Sequence, residues 1–182
     1  MSKQIQEAYI VAATRLPTAK RNGMYRNVRP DDMLAAVIKA VVAQVPGIDP
    51  ARIGDVIIGC AMPEAEQGMN VARIGLLLAG LPNSVAGMTI NRFCSSGLNA
   101  VSIAADRIRT GEADIMIAAG TESMSMIPML GRLAINEAVF ARDENIGIAY
   151  GMGLTAEKVA AQWKISREDQ DAFALASHQK AL

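Results

Sequence analysis

Four β-prone stretches alternate with helical patterns over the first 120 residues, and that alternation restricts the fold more than any other feature. Ala8–Ala13 and Asp114–Ala119, the first and fourth stretches, are almost unbroken apolar runs, as is Asp55–Ala61, the second; Ala86–Phe93 is the third. A run without polar–apolar alternation reads as a strand buried on both faces, which is the habit of parallel sheets. Between the runs lie amphipathic segments. Asp31 and Asp32 give an acidic helix start. Leu34, Val37, Ile38, Val41, Val42 and Val45 follow at helical spacing until Pro46-Gly47. Asn70–Ala79 is a second helical stretch, ended by Gly80. Gly97–Thr110 is a third, with Leu98, Val101, Ala105 and Ile108 on one face and Gly111 closing it. The pattern predicts an α/β fold: a mostly parallel sheet covered by helices.

After Gly120 the pattern changes. Pro128–Tyr150 is mixed and irregular, and two helices are then predicted, over Thr155–Trp163 and from Ser166 onward. Ser166-x-x-Asp169 has the spacing of a capping box. The division falls at 1–120 for the α/β part and 121–182 for a mainly helical second part. The helical signal reaches Leu182 without a Gly, Pro or cap, which reads as a fragment.

Composition excludes several classes. Lys+Arg and Asp+Glu balance at 18 each, so neither nucleic acid nor an anionic membrane is expected as a partner. Cys60 and Cys94 are the two cysteines and His178 the one histidine, too few for a disulfide framework or a His-rich zinc site. No metal is expected. The first seven residues lack the apolar core of a signal peptide. No run approaches the ~20 apolar residues of a membrane helix. A reducing compartment, the cytoplasm, is expected.

The chemistry concentrates in Asn91-Arg92-Phe93-Cys94-Ser95-Ser96-Gly97. Cys94 stands where a strand gives way to a helix. A thiol there faces free backbone N–H groups and the positive end of the helix dipole, which favour a thiolate. Ligands of open α/β sheets also gather at the carboxyl ends of strands. Cys60 lies among apolar neighbours and reads as a buried structural cysteine. His178 reads as a solvated helix position. Gly151-Met152-Gly153-Leu154-Thr155-Ala156 matches G-x-G-x-x-A, but no good strand precedes it, so no dinucleotide site is expected. Arg15, Lys20, Arg21, Arg26 and Arg29 read as a solvated basic loop. Met124, Met126, Met129 and Met152 read as core filler or as a deformable lining for an acyl chain.

The Asn91–Val101 segment resembles the acyl-enzyme cysteine motif of the thiolases. Other stretches agree in order and spacing: Ala12-Ala13-Thr14-Arg15-Leu16-Pro17, Asn70-Val71-Ala72-Arg73, Ala119-Gly120-Thr121-Glu122-Ser123-Met124-Ser125, Met152–Ala160 and Ser166–Asp171. The resemblance implies a thiolase N-terminal α/β domain over 1–120, lacking its last strand. Over 121–182 it implies part of the loop domain that binds coenzyme A and serves oligomerisation. It implies acyl transfer: thiolytic cleavage of 3-ketoacyl-CoA, or the reverse condensation. Cys94 would carry the acyl thioester, and its own N–H would help hold the thioester oxygen. Met152 would line the pantetheine and acyl tunnel. Coenzyme A is then a substrate, and no cofactor is expected. Met69 and Gly151 depart from short-chain biosynthetic members, while Phe93 and Ser95-Ser96 look more like degradative members.

Family members are about twice this long. Their Gly-His-Pro histidine, which activates the nucleophile, and their Cys-x-Gly cysteine, which moves the α-proton, have no counterpart here. The chain alone is therefore expected to lack turnover and to pair with a separate C-terminal half or form a homo-oligomer. The alternative is a non-catalytic truncated or split-gene subunit that acts by binding CoA or protein. Helix Gly97–Thr110 is expected to expose apolar residues that the family covers.

Overall fold

The computed structural model describes residues 5–129, 131 and 134–182; the first four residues of the N-terminal stretch lie outside it. The chain divides into two compact units, Met1–Arg132 and Leu133–Leu182.

The first unit is a three-stranded parallel sheet with helices on both faces. Helix α1 (Pro30–Ala43) precedes strand β1 (Ile53–Gly59), helix α2 (Val71–Leu78), strand β2 (Ala86–Ile90), helix α3 (Ser96–Arg109) and strand β3 (Ile115–Gly120). The sheet order is β2–β1–β3. Gly59 lies opposite Ile90 on one side and Gly120 on the other, so all three carboxyl ends reach one rim. Side chains alternate across the central strand as the pleat requires. Val56 and Ile58 pack with Leu34, Ile38, Val71 and Leu76, on the side of α1 and α2. Ile57 packs with Ala100 and Ala104 of α3.

Helix starts follow their local chemistry. Pro30 occupies the first turn of α1, where its missing N–H costs nothing. Behind it, Asp31 is buried and held by a two-point pair with the Arg29 guanidinium, at 3.0 and 2.8 Å. Asn70 caps α2: its Oδ1 accepts from Arg73 N and its Nδ2 donates to Gly87 O at 2.9 Å, tying the helix to β2. The far end of α3 is pinned by Arg107, which donates to Asp55 Oδ2 of β1 at 2.6 Å and to Glu112. These pairings push the Arg29 and Arg107 guanidinium pKa values up; the side-chain hydrogen bond to Asp31 or Asp55 is the leading cause.

Two expectations need correction. Ala8–Ala13 forms no strand, and Tyr9, Ile10 and Val11 are exposed. The segment borders an apolar cleft of about 330 Å³ whose other wall includes Ile115–Ala119 of β3. Strand pairing needs a neighbour's backbone about 4.8 Å away, and the cleft intervenes. Second, β2 stops at Ile90 rather than Phe93, because the chain leaves the ladder at Asn91. Helix α3 does expose apolar residues, as expected: Leu98 and Val101 of its apolar stripe are exposed, while Ala100 and Ala104 are buried against the sheet. Small residues permit close approach of the helix to the sheet, so the more hydrophobic stripe faces elsewhere.

The second unit contains helices α4 (Met152–Trp163) and α5 (Arg167–Ala181). Gly151 begins α4 with no strand before it, and Lys164 ends it in the left-handed region. Ser166 Oγ accepts from Asp169 N at 3.1 Å and so caps α5. Residues 137–141 and 143–149 form short 3₁₀ turns. Among the described residues no helix is long and apolar enough to cross a membrane.

Candidate active site

Beyond the rim of the sheet, the chain from β2 into α3 makes a tight corner. Asn91 accepts from Phe93 N through its Oδ1 at 2.8 Å, an Asx-turn that a side chain makes with its own backbone two residues on. Phe93 sits at φ 47°, a left-handed conformation that a bulky L-residue seldom adopts. A single 3₁₀ turn, Phe93–Ser95, then leads into α3. Buried Ser96 closes the corner: its Oγ accepts from Arg92 N at 2.8 Å and donates to Phe93 O at 2.6 Å. Cys94 stands on this corner with an exposed thiol.

The corner packs directly on the sheet. A Cβ on Gly59, the last residue of β1, would lie 2.5 Å from Ser96 C and 2.6 Å from Gly97 N. Only glycine allows the start of α3 to come so near the end of the central strand.

A polar network lies behind. Gln67 is fully buried. Its Oε1 accepts from Ser123 N at 2.5 Å, and its Nε2 donates to Glu122 Oε1 at 2.7 Å and Met62 O at 2.9 Å. Glu122 Oε2 accepts from Ala61 N at 2.6 Å, and Ala61 O accepts from Asn91 Nδ2 at 3.1 Å. Hydrogen bonds therefore join all three strand ends to the corner that bears Cys94. Cys60 lies beside this network, with Gln67 Nε2 3.4 Å from its Sγ. Burial, followed by the Glu122 charge, pushes the Cys60 thiol up to about 11. It is an inert neutral group, in keeping with its expected structural role.

A separate cleft of about 570 Å³ opens at the end of β3, lined by Thr14–Arg21 and Gly120–Ser125. Arg15, Lys20 and Arg21 of the basic loop lie on it, and Asn22 N donates to Ser125 Oγ at 2.8 Å. Among the described residues no group of His, Cys, Asp and Glu could hold a metal ion. Met152, the first residue of α4, is exposed and belongs to the second unit, as does His178 on α5.

Residues 8–182 match the family model described as "Thiolase, N-terminal domain". The chain belongs to the thiolase family. Thiolases of known name align with nearly its whole length. A 3-ketoacyl-CoA thiolase of Bacillus subtilis is 46% identical over 97% of this chain and 45% of its own. A beta-ketoadipyl-CoA thiolase of Pseudomonas knackmussii is 43% identical over 97% and 48%. Among solved structures, the acetyl-CoA acetyltransferase of Bacillus anthracis superposes with a TM-score of 0.80 at 34% identity, covering 98% of this chain and 47% of that one. The chain spans about half the length of the curated thiolases it matches. Its architecture is that of a thiolase N-terminal half: a parallel sheet flanked by helices.

Sequence reading singled out Cys94 but missed what surrounds it. Asn91 had a local signal, since Asn two residues before a turn residue is an Asx-turn pattern. Gln67 had none, because its partners lie on segments remote in sequence.

Proposed function

We propose that this chain carries the nucleophile of a 3-ketoacyl-CoA thiolase, with Cys94 forming the acyl thioester. The observation that carries the reading is an exposed cysteine held on a hydrogen-bonded corner at the strand-end rim of a thiolase-family fold. In the cleavage direction the Cys94 sulfur attacks the 3-keto carbon. The C2–C3 bond then breaks, and its electron pair leaves with C2, which takes a proton to become the methyl of acetyl-CoA. The acyl group stays on sulfur until the thiol of a second CoA attacks the thioester carbonyl, freeing Cys94 and releasing shortened acyl-CoA. Condensation is the same path reversed.

We assign this chain the acyl-transfer step. Full turnover also needs a base for the thiol and a group to move the α-proton, each worth roughly 10²–10⁴-fold. The resemblance places both in the half of the family that these residues do not match. A C-terminal thiolase half is the partner that would supply them, a second copy of this chain would serve oligomerisation, and Met152 contributes to the pantetheine and acyl path. An exposed thiol that must stay reduced fits a cytoplasmic setting.

The test is mass spectrometry after incubation with acyl-CoA. The expected result is one acyl adduct on Cys94, formed by thioester exchange with release of CoA and absent in Cys94→Ala. No adduct, or an adduct that survives Cys94→Ala, overturns the assignment.

A further inference from the structure

We propose that Asn91 is a positioning residue for Cys94, backed by Glu122 and Gln67. This deepens the reading of Cys94 as the nucleophile and rests on it. The Asn91 amide works in two directions. Its oxygen accepts from Phe93 N at 2.8 Å, and its nitrogen donates to Ala61 O at 3.1 Å. The first bond holds Phe93 at φ 47°, and Cys94 is the next residue. The second refers that geometry to the end of β1. The Ala61 peptide is itself fixed, because its N–H donates to Glu122 Oε2 at 2.6 Å. The other oxygen of Glu122 is held by Gln67, whose buried amide also accepts from Ser123 N.

The position of the thiol is thereby set by β1 and β3 as well as by β2, the strand that leads to it. On the helix side Ser96 fixes Arg92 and Phe93 through its hydroxyl. Cys94 lies between these two fixings. Without Asn91, Phe93 loses the bond that holds it left-handed and relaxes toward ordinary backbone, and the sulfur moves with it. Thioester exchange needs the sulfur aligned on a carbonyl carbon, so an ångström of displacement is costly. Alkylation by a small neutral reagent makes a weaker demand, because the reagent approaches an exposed thiol from many directions.

The experiment compares two rates at Cys94 in the full chain: acylation by acyl-CoA and alkylation by iodoacetamide. Asn91→Ala is expected to slow acylation about tenfold to a hundredfold, with alkylation changed much less. Asn91→Ser is expected to fall between Asn91→Ala and the parent, because a serine hydroxyl makes the same bond to the i+2 amide more weakly. Should Asn91→Ala fail to fold, Asn91→Ser carries the comparison. An unchanged acylation rate, or both rates falling together, overturns the inference. If the parent chain alkylates at Cys94 but does not acylate, the thiolase reading fails by itself. Asn91 is then judged by thermal unfolding of Asn91→Ala, Phe93→Gly and the double variant. Glycine has no need of a bond to hold it left-handed, so Asn91→Ala is expected to lower Tm less in the Phe93→Gly background. Additive losses overturn the inference.

Discussion

Cys60 follows the end of β1 and Cys94 follows the end of β2, on adjacent strands of one parallel sheet. Cys60 N still donates to Ile90 O at 3.0 Å, so this residue remains within the hydrogen-bonded edge and its side chain turns into the core beneath α1 and α2. Cys94 comes four residues after β2, once the chain has left the ladder through the Asn91 corner. One thiol is 1% exposed and the other open to solvent. What separates them is how far past its strand the chain has travelled, and which side chains hold it there. Proximity to a strand end is thus too coarse a marker of a reactive cysteine.

The widest gap between the two sites should appear in alkylation. Cys94 should react at least about 100-fold faster than Cys60, whose modification waits on local opening of the core. Peptide mapping of timed iodoacetamide reactions measures both, and comparable rates would erase the distinction. Next in size is the contact that links the two ends. Gly59→Ala drives a Cβ into the backbone of Ser96 and Gly97 and should cost about 3 kcal/mol, within the range for overpacking. Denaturant titration reads the loss, and Cys94 acylation should fall with it.

The pH dependence of stability sharpens the comparison from the Cys60 side. Its thiol titrates near 9 ordinarily and near 11 in the fold. The folded chain therefore keeps a proton that the unfolded chain releases between those values. The stability contributed by neutral Cys60 is complete below pH 9 and lost as pH rises through 11, about 2–3 kcal/mol in all. Titrations from pH 7 to 11 should show this decline, and Cys60→Ala should flatten it. The smallest effect belongs to the corner. Phe93→Gly should change stability by no more than about 1 kcal/mol, on the favourable side, since glycine tolerates φ 47° and the exposed ring packs little. A large loss would mean that the Phe93 side chain, rather than its backbone, secures the turn.

Much of this was legible in the sequence, for identifiable reasons. Helices α1, α2 and α3 announce themselves through apolar spacing and through Asp31 and Asp32, Asn70 and Gly111 at or near their ends. Strand β1 does so through an apolar run with no alternation. Ala8–Ala13 carries the same signal yet stays unpaired, because hydrophobicity reports what a segment could bury and pairing depends on a neighbour. The stripe of Leu98 and Val101 is exposed, as expected, for a packing reason. Hydrophobicity ranks leucine above alanine, but close packing against Ile57 favours Ala100 and Ala104. At the site, Cys94 stood out through its place at a strand-to-helix change. The Gln67–Glu122–Ala61–Asn91 chain did not, since it joins segments up to 61 residues apart that meet only once the sheet is assembled.

Gly59 carries a consequence for the reading of mutational data. Every other amino acid places a Cβ where the backbone of Ser96 and Gly97 already lies, and no change of side chain at those two positions can clear it. In a saturation scan scored by acylation, position 59 should therefore be as intolerant as position 94. It would look like part of the chemistry while touching no reacting atom, and its defects would resist second-site suppression at the residues it contacts.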